Sequence, residues 1–83
     1  MSDKKLISLD KLPLNCTGEI EYIKKSCRNY RRLLEMGFTK GCSITPLYLS
    51  PMGDPAAYCI RGTVIALRKE DASDILIVQK EGI

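Results

Sequence analysis

The sequence contains no histidine. That removes the side chain that most readily takes and gives a proton near neutral pH. A glycine-rich phosphate cradle and a paired-carboxylate motif are also missing, and Asp54 stands alone in its loop. A chain this short has little room to enclose a water-free pocket. It is therefore not expected to be an enzyme. Long apolar runs are missing too. The longest charge-free stretch, Gly41 to Gly53, is broken by Pro46 and Pro51, far short of the roughly 18–20 apolar residues a membrane span needs. Asp3, Lys4 and Lys5 are followed by Asp10 and Lys11, which stops a signal-peptide core from forming. A cytoplasmic protein without direct membrane insertion is expected. Aromatics are sparse, with Tyr30 alone inside the most basic stretch. Base stacking needs interleaved aromatics, so nucleic acid is not the expected partner.

What is present suits one small domain, residues 1–83. Such a chain buries roughly 60–65% of its unfolded surface, enough for a single modest core. With 45% hydrophobic and 28% charged residues it should fold and stay in solution. Cys16, Cys27, Cys42 and Cys59 are too widely spaced for a secreted disulfide scaffold or for paired zinc ligands. Without histidine, a metal site would have to draw thiolates from separate elements. The four cysteines are expected to be reduced, packed as small apolar residues, and any affinity for Fe2+ or Zn2+ to be weak and thiol-dependent.

Net charge is +3, unevenly placed. Lys24, Lys25, Arg28, Arg31 and Arg32 stand within nine residues without an acid; the remaining 8 basic and 10 acidic residues carry −2. Such a patch meets an acidic protein surface, an anionic lipid or a nucleic acid, or is a solvated helix face.

Periodicity points to a mainly β chain. Leu9 and Leu12 suit one helical turn starting near Ser8, Asn15 to Gly18 reads as a turn, and Glu19 to Tyr22 alternates as a half-buried strand. A helix follows, capped by Asn29 or Ser26, with Tyr30, Leu33, Leu34 and Gly37 on one face. Gly37 is placed to end it, and Arg28 and Arg31 oppose the macrodipole at its start. Further strands are predicted at Ser43 to Leu49, Ala56 to Ile60, Thr63 to Leu67 and Ile75 to Val78, with a helical turn from Lys69 to Ala72. Pro46 moves the first of these to a sheet edge or a bulge. About five short strands, one α-helix and one or two helical turns predict a small, strongly bent barrel, whose strands can close on themselves and so remove exposed edges.

From Arg31 to Gly41 the chain reads Arg-Arg-Leu-Leu-Glu-Met-Gly-Phe-Thr-Lys-Gly, and there it resembles the FeoA family. The likeness continues through Pro51-Met52-Gly53-Asp54-Pro55, Ile60-Arg61-Gly62, Ala66-Leu67-Arg68-Lys69 and Ala72 to Val78. The resemblance implies an SH3-like barrel with an inserted helix and transition metal ion binding. It also implies a role in the bacterial ferrous-iron transport system, beside the membrane transporter FeoB and its cytosolic GTPase domain. The same barrel forms the C-terminal domain of iron-dependent repressors. Gly37, Gly41, Gly53 and Gly62 fall where turns need positive φ. Cys42 stands where the family commonly has Thr or Ser.

The expected function is that of an accessory, regulatory protein binding FeoB at the inner face of the cell membrane, with room for weak self-association. Arg28, Arg31, Arg32 and Met36 on the helix, Met52 and Asp54 in the loop, and Arg61 and Arg68 at strand ends are the candidate partner contacts. Exposed Met and Arg are both enriched at interfaces, although Arg61 and Arg68 can equally pair with Asp54 or Glu70. A second reading is a stand-alone regulatory domain, related to the repressor barrel, that senses metal or binds a short peptide. One barrel already uses the chain, which leaves no room for a DNA-reading helix-turn-helix.

Overall fold

Alternating apolar residues become one antiparallel sheet in the computed structural model, which describes residues 5–79. Six strands build it: β1 (Leu6–Ser8), β2 (Gly18–Ile23), β3 (Ser43–Leu49), β4 (Ala56–Ile60), β5 (Thr63–Leu67) and β6 (Ile75–Gln79). Their order across the sheet is β1-β6-β2-β3-β4-β5. A 3-10 turn (Leu9–Lys11), helix α1 (Tyr30–Glu35) and the single-turn helix α2 (Lys69–Ala72) complete the chain. Ile20, Ile44, Ile60, Leu67 and Ile77, from five strands, meet Leu9, Leu33 and Phe38 in a single core cluster. A flat sheet would hold its outer strands apart, so this sheet is bent around its core as an SH3-like fold. Burying each such side chain contributes about 1.5–3 kcal/mol.

The strand count is six where about five were expected. Residues 6–8 are too few to show an alternation, and it is pairing with β6, Leu6 to Val78 and Ser8 to Leu76, that makes them a strand. Edges also remain. β1 and β5 end the ladder, and no strand joins them among the described residues.

Two bulges redirect side chains. In β2 the register against β6 shifts between Ile20 and Tyr22. Ile20 and Ile23 therefore both point inward, while Tyr22 is turned out and 48% exposed. In β3 the shift falls between Pro46 and Tyr48. Of the two positions that suit a proline, the bulge is the one realised, because β3 lies between β2 and β4 inside the sheet. The Pro46 carbonyl accepts the Asn15 N–H at 2.7 Å. At Gly18 a Cβ would stand 2.5 Å from Ile77 Cδ1, so any side chain there requires the buried Ile77 to shift.

Helix α1 buries less than its sequence suggests. Leu33 is buried and Tyr30 half-buried, but Leu34 is 37% exposed. Six residues reach the core with one turn, and Phe38, beyond the Gly37 turn (φ +100), takes the buried place assigned to Leu34. Met36, expected to face a partner, is half-buried against the core. Asn29 is the N-cap residue but makes no cap bond. Its Nδ2 instead donates to both carboxylate oxygens of the buried Asp71, at 3.1 and 3.0 Å, stitching α1 to α2.

Candidate functional site

The β2 bulge and the short helix together leave a groove. About 480 Å3 in volume, it lies between the end of β2 and α1, reaching the Phe38–Lys40 segment. Its floor is buried Ile23 and Phe38, and Tyr22, Tyr30 and Leu34 line its sides. Exposed Lys24, Lys25 and Lys40 stand around it. Glu21 also lines it, and its Oε2 lies 3.5 Å from Lys40 Nζ. Two neighbouring contacts hold this frame: the Lys24 N–H donates to the Asp74 carbonyl at 2.8 Å, and the Gly41 N–H to that of Ile20 at 2.8 Å. An apolar trough with a largely cationic margin has the chemistry to receive aliphatic or aromatic side chains from a segment that also carries carboxylates.

Tyr22 and Leu34 are the residues that sequence reasoning misplaced, as half-buried strand and helix core. The signal was present at Ile23, which interrupts the alternation of β2 and so marks the bulge.

The expected partner contacts separate into groups. Arg28, Arg31 and Arg32 are exposed on and before α1 and do not line the groove. Arg28 lies 3.9 Å from Glu70, with both side chains largely in solvent, an arrangement worth little to stability. Met52, 90% exposed, and Asp54 occupy the β3–β4 loop and do not line the groove. Asp54 pairs with neither arginine. Its carboxylate accepts the Lys69 N–H at 2.8 Å, where α2 begins. Arg68 is exposed just before that helix.

Arg61 has a different occupation from either one foreseen. In the β4–β5 turn at φ 54, it runs along Gly37 and donates through Nη2 to Cys42 Sγ at 3.3 Å. The Thr39 hydroxyl lies 3.3 Å from the same sulfur. These contacts, Thr39 first and Arg61 after it, hold the Cys42 thiol below its usual range. Burial pushes the Cys27 thiol the other way. All four cysteines are free thiols in the structure.

The donor set of the described residues does not fit a transition-metal site. Among the described residues no three Cys, Asp or Glu side chains converge. Cys27 Sγ and Asp71 Oδ1 lie 3.9 Å apart, and the Asp71 oxygens already accept from Asn29. Among the same residues, no helix is long and apolar enough to cross a membrane.

Against known proteins, the FeoA domain family matches residues 7–79. The chain belongs to this family. A FeoA-like protein from Clostridium acetobutylicum has the same fold, with a TM-score of 0.84 and 31% identity over 99% of this chain and 95% of that one. The FeoA of Stenotrophomonas maltophilia, solved with zinc and described as a prokaryotic SH3 domain protein, aligns with a TM-score of 0.77. It is 28% identical, with 89% of this chain and 95% of that one covered. A fusion of Fe(2+) transport protein A with the Fe(2+) transporter FeoB, from Porphyromonas gingivalis, is 44% identical over 45 residues. That match spans 54% of this FeoA chain and 5% of the fusion protein.

Proposed function

We propose that this FeoA-family chain is an accessory binding protein of ferrous-iron uptake that acts on the cytosolic GTPase domain of a FeoB-type transporter. It works in the cytoplasm, against the inner face of the membrane when bound, and catalyses nothing itself. The observation that carries this reading is the Porphyromonas gingivalis fusion, in which the two proteins share one polypeptide. Fusion holds two binding partners at a high effective concentration, which is useful when each needs the other. The groove supplies a physical means. Tyr22, Tyr30 and Leu34 are unspent apolar surface, and Lys24, Lys25, Arg28, Arg31 and Arg32 steer an acidic partner toward it. The ferrous ion is the transporter's cargo in this reading, and no step needs it bound here.

The test is calorimetry of the full chain against the purified cytosolic domain of the transporter from the same cell. Binding should be measurable, and Tyr22→Ser with Leu34→Ser should weaken it about tenfold or more, as loss of central apolar contacts does. No binding, or an unchanged affinity in a folded double variant, would overturn the reading.

A further inference from the structure

The second edge of the sheet carries an inference separate from the groove, which no residue of β5 lines. β4 and β5 are joined by two residues, Arg61 and Gly62, both at positive φ (54 and 78), with Ile60 opposite Thr63. A two-residue hairpin of this kind closes on a hydrogen-bonded pair. Alternation then directs the backbone groups of Thr63, Ile65 and Leu67 toward β4. Those of Val64 and Ala66 point away from the sheet, and among the described residues no backbone group bonds them. Both residues are exposed, Val64 by 56%, whereas Leu67 is buried on the inner face.

Among the described residues nothing shields this edge. From Thr63 to Leu67 there is no proline, no charge and no shift of register, the devices by which sheets protect open edges. The opposite edge, β1, is protected by being only three residues long. The outer face beside β5 is uncharged as well: Val64 adjoins Cys59 and Thr45, and Ala66 adjoins Ala57 and the exposed Tyr48. One cation marks the end of the row. Arg68 continues extended (φ −71, ψ 150) and exposed, two residues beyond Ala66. It has no acidic partner among the described residues.

We propose that β5 is a docking strand for an extended segment of a partner protein, apolar along its middle and carrying a carboxylate where it meets Arg68. The segment joins the sheet through the N–H and C=O groups of Val64 and Ala66, and its outer side chains lie beside theirs. Charge decides against a second copy as occupant. Two β5 strands paired about a two-fold axis would bring Arg68 of one copy to the Arg61–Gly62 turn of the other, cation against cation.

The test follows the Val64 and Ala66 amides of the full chain by nuclear magnetic resonance. The probes are short capped peptides of alternating valine and threonine, ending in glutamate at one or both ends, with lysine-ended counterparts. In dilute protein alone these two amides should exchange fast. Saturating glutamate peptide should slow them about tenfold or more. The lysine peptides should bind about threefold more weakly at low salt, with the gap closing as salt rises. Val64→Lys should abolish the effect. So should Ala66→Pro, which deletes an outward N–H that β4 does not use, so that each variant checks the other. The proposal falls if no peptide slows these amides, or if they are already protected in dilute protein. It also falls if protection rises with protein concentration alone, or if the peptide shifts only the Tyr22 and Leu34 groove.

Discussion

At the scale of single residues, Arg61 and Cys42 show how much one contact changes a side chain's chemistry. Arg61 is exposed and sits in a turn, where an arginine is ordinarily a loose surface charge, but here it reaches over Gly37 to a sulfur. With the Thr39 hydroxyl it stabilises the thiolate and lowers the pH at which Cys42 ionises. The sign for stability follows from linkage. A thiol depressed by folding adds stability above the ordinary thiol range, and that gain is lost as pH falls through the depressed value. Alkylation rates measured against pH should therefore show the Cys42 midpoint below that of an unfolded control. Thr39→Val should raise it, since the largest contribution is removed. Equal midpoints in the folded and unfolded chains would refute the assignment. Cys27 should react slowly at any pH that keeps the protein folded, because it is buried.

Among the elements, α1 is the most informative, because two adjacent leucines in it have opposite fates. Leu33 is 1% exposed and Leu34 37%. Both fit the same periodic face, and in a longer helix both would be core. Here the helix is six residues long and β2 beside it is bulged, so the partner surface that would cover Leu34 is missing. Leu33→Ala should cost roughly 2–4 kcal/mol through lost burial and a residual cavity. Leu34→Ala should cost less than about 1 kcal/mol, in keeping with a half-solvated site, while weakening binding to the transporter domain. Urea denaturation of both variants separates the two, and equal losses would mean that the groove closes over Leu34 in solution. The strands from Ser43 to Leu67 were legible to the residue, because turns rich in glycine and proline bracket charge-free runs. β1 was not, since three residues carry no period.

For the whole molecule, the distribution of charge sets the expected behaviour. Six basic residues line the groove (Lys24, Lys25, Lys40) or stand on and before α1 (Arg28, Arg31, Arg32), whereas the meander from β3 to β5 has no charge within its strands. Arg28→Glu with Arg32→Glu should leave stability within about half a kcal/mol, because the affected side chains are exposed and the Arg28–Glu70 contact is long and solvated. The same variant should slow association with the transporter domain, most at low salt. Stopped-flow binding at two ionic strengths measures this, and a rate unchanged at both would show that the basic face is merely solvated. Of the candidate contacts inferred from sequence, Arg28, Arg31, Arg32 and Arg68 are exposed cations. Met36 is instead half-buried against the core, which depends on what packs beside the helix end.

The sequence by itself determined the elements whose cause is local. Gly37, Gly41, Gly53 and Gly62 all take positive φ, as turn positions without a Cβ allow. The Ala56–Ile60 and Thr63–Leu67 strands start and stop where their turn residues dictate. Tertiary structure alone decided the rest. Whether Tyr22 and Leu34 are core or groove depends on a register shift against β6 and on what packs across from a six-residue helix. Whether Val64 and Ala66 are free depends on β5 being the last strand of the sheet. These are properties of contacts between segments distant in sequence, and no local pattern encodes which neighbour will be missing.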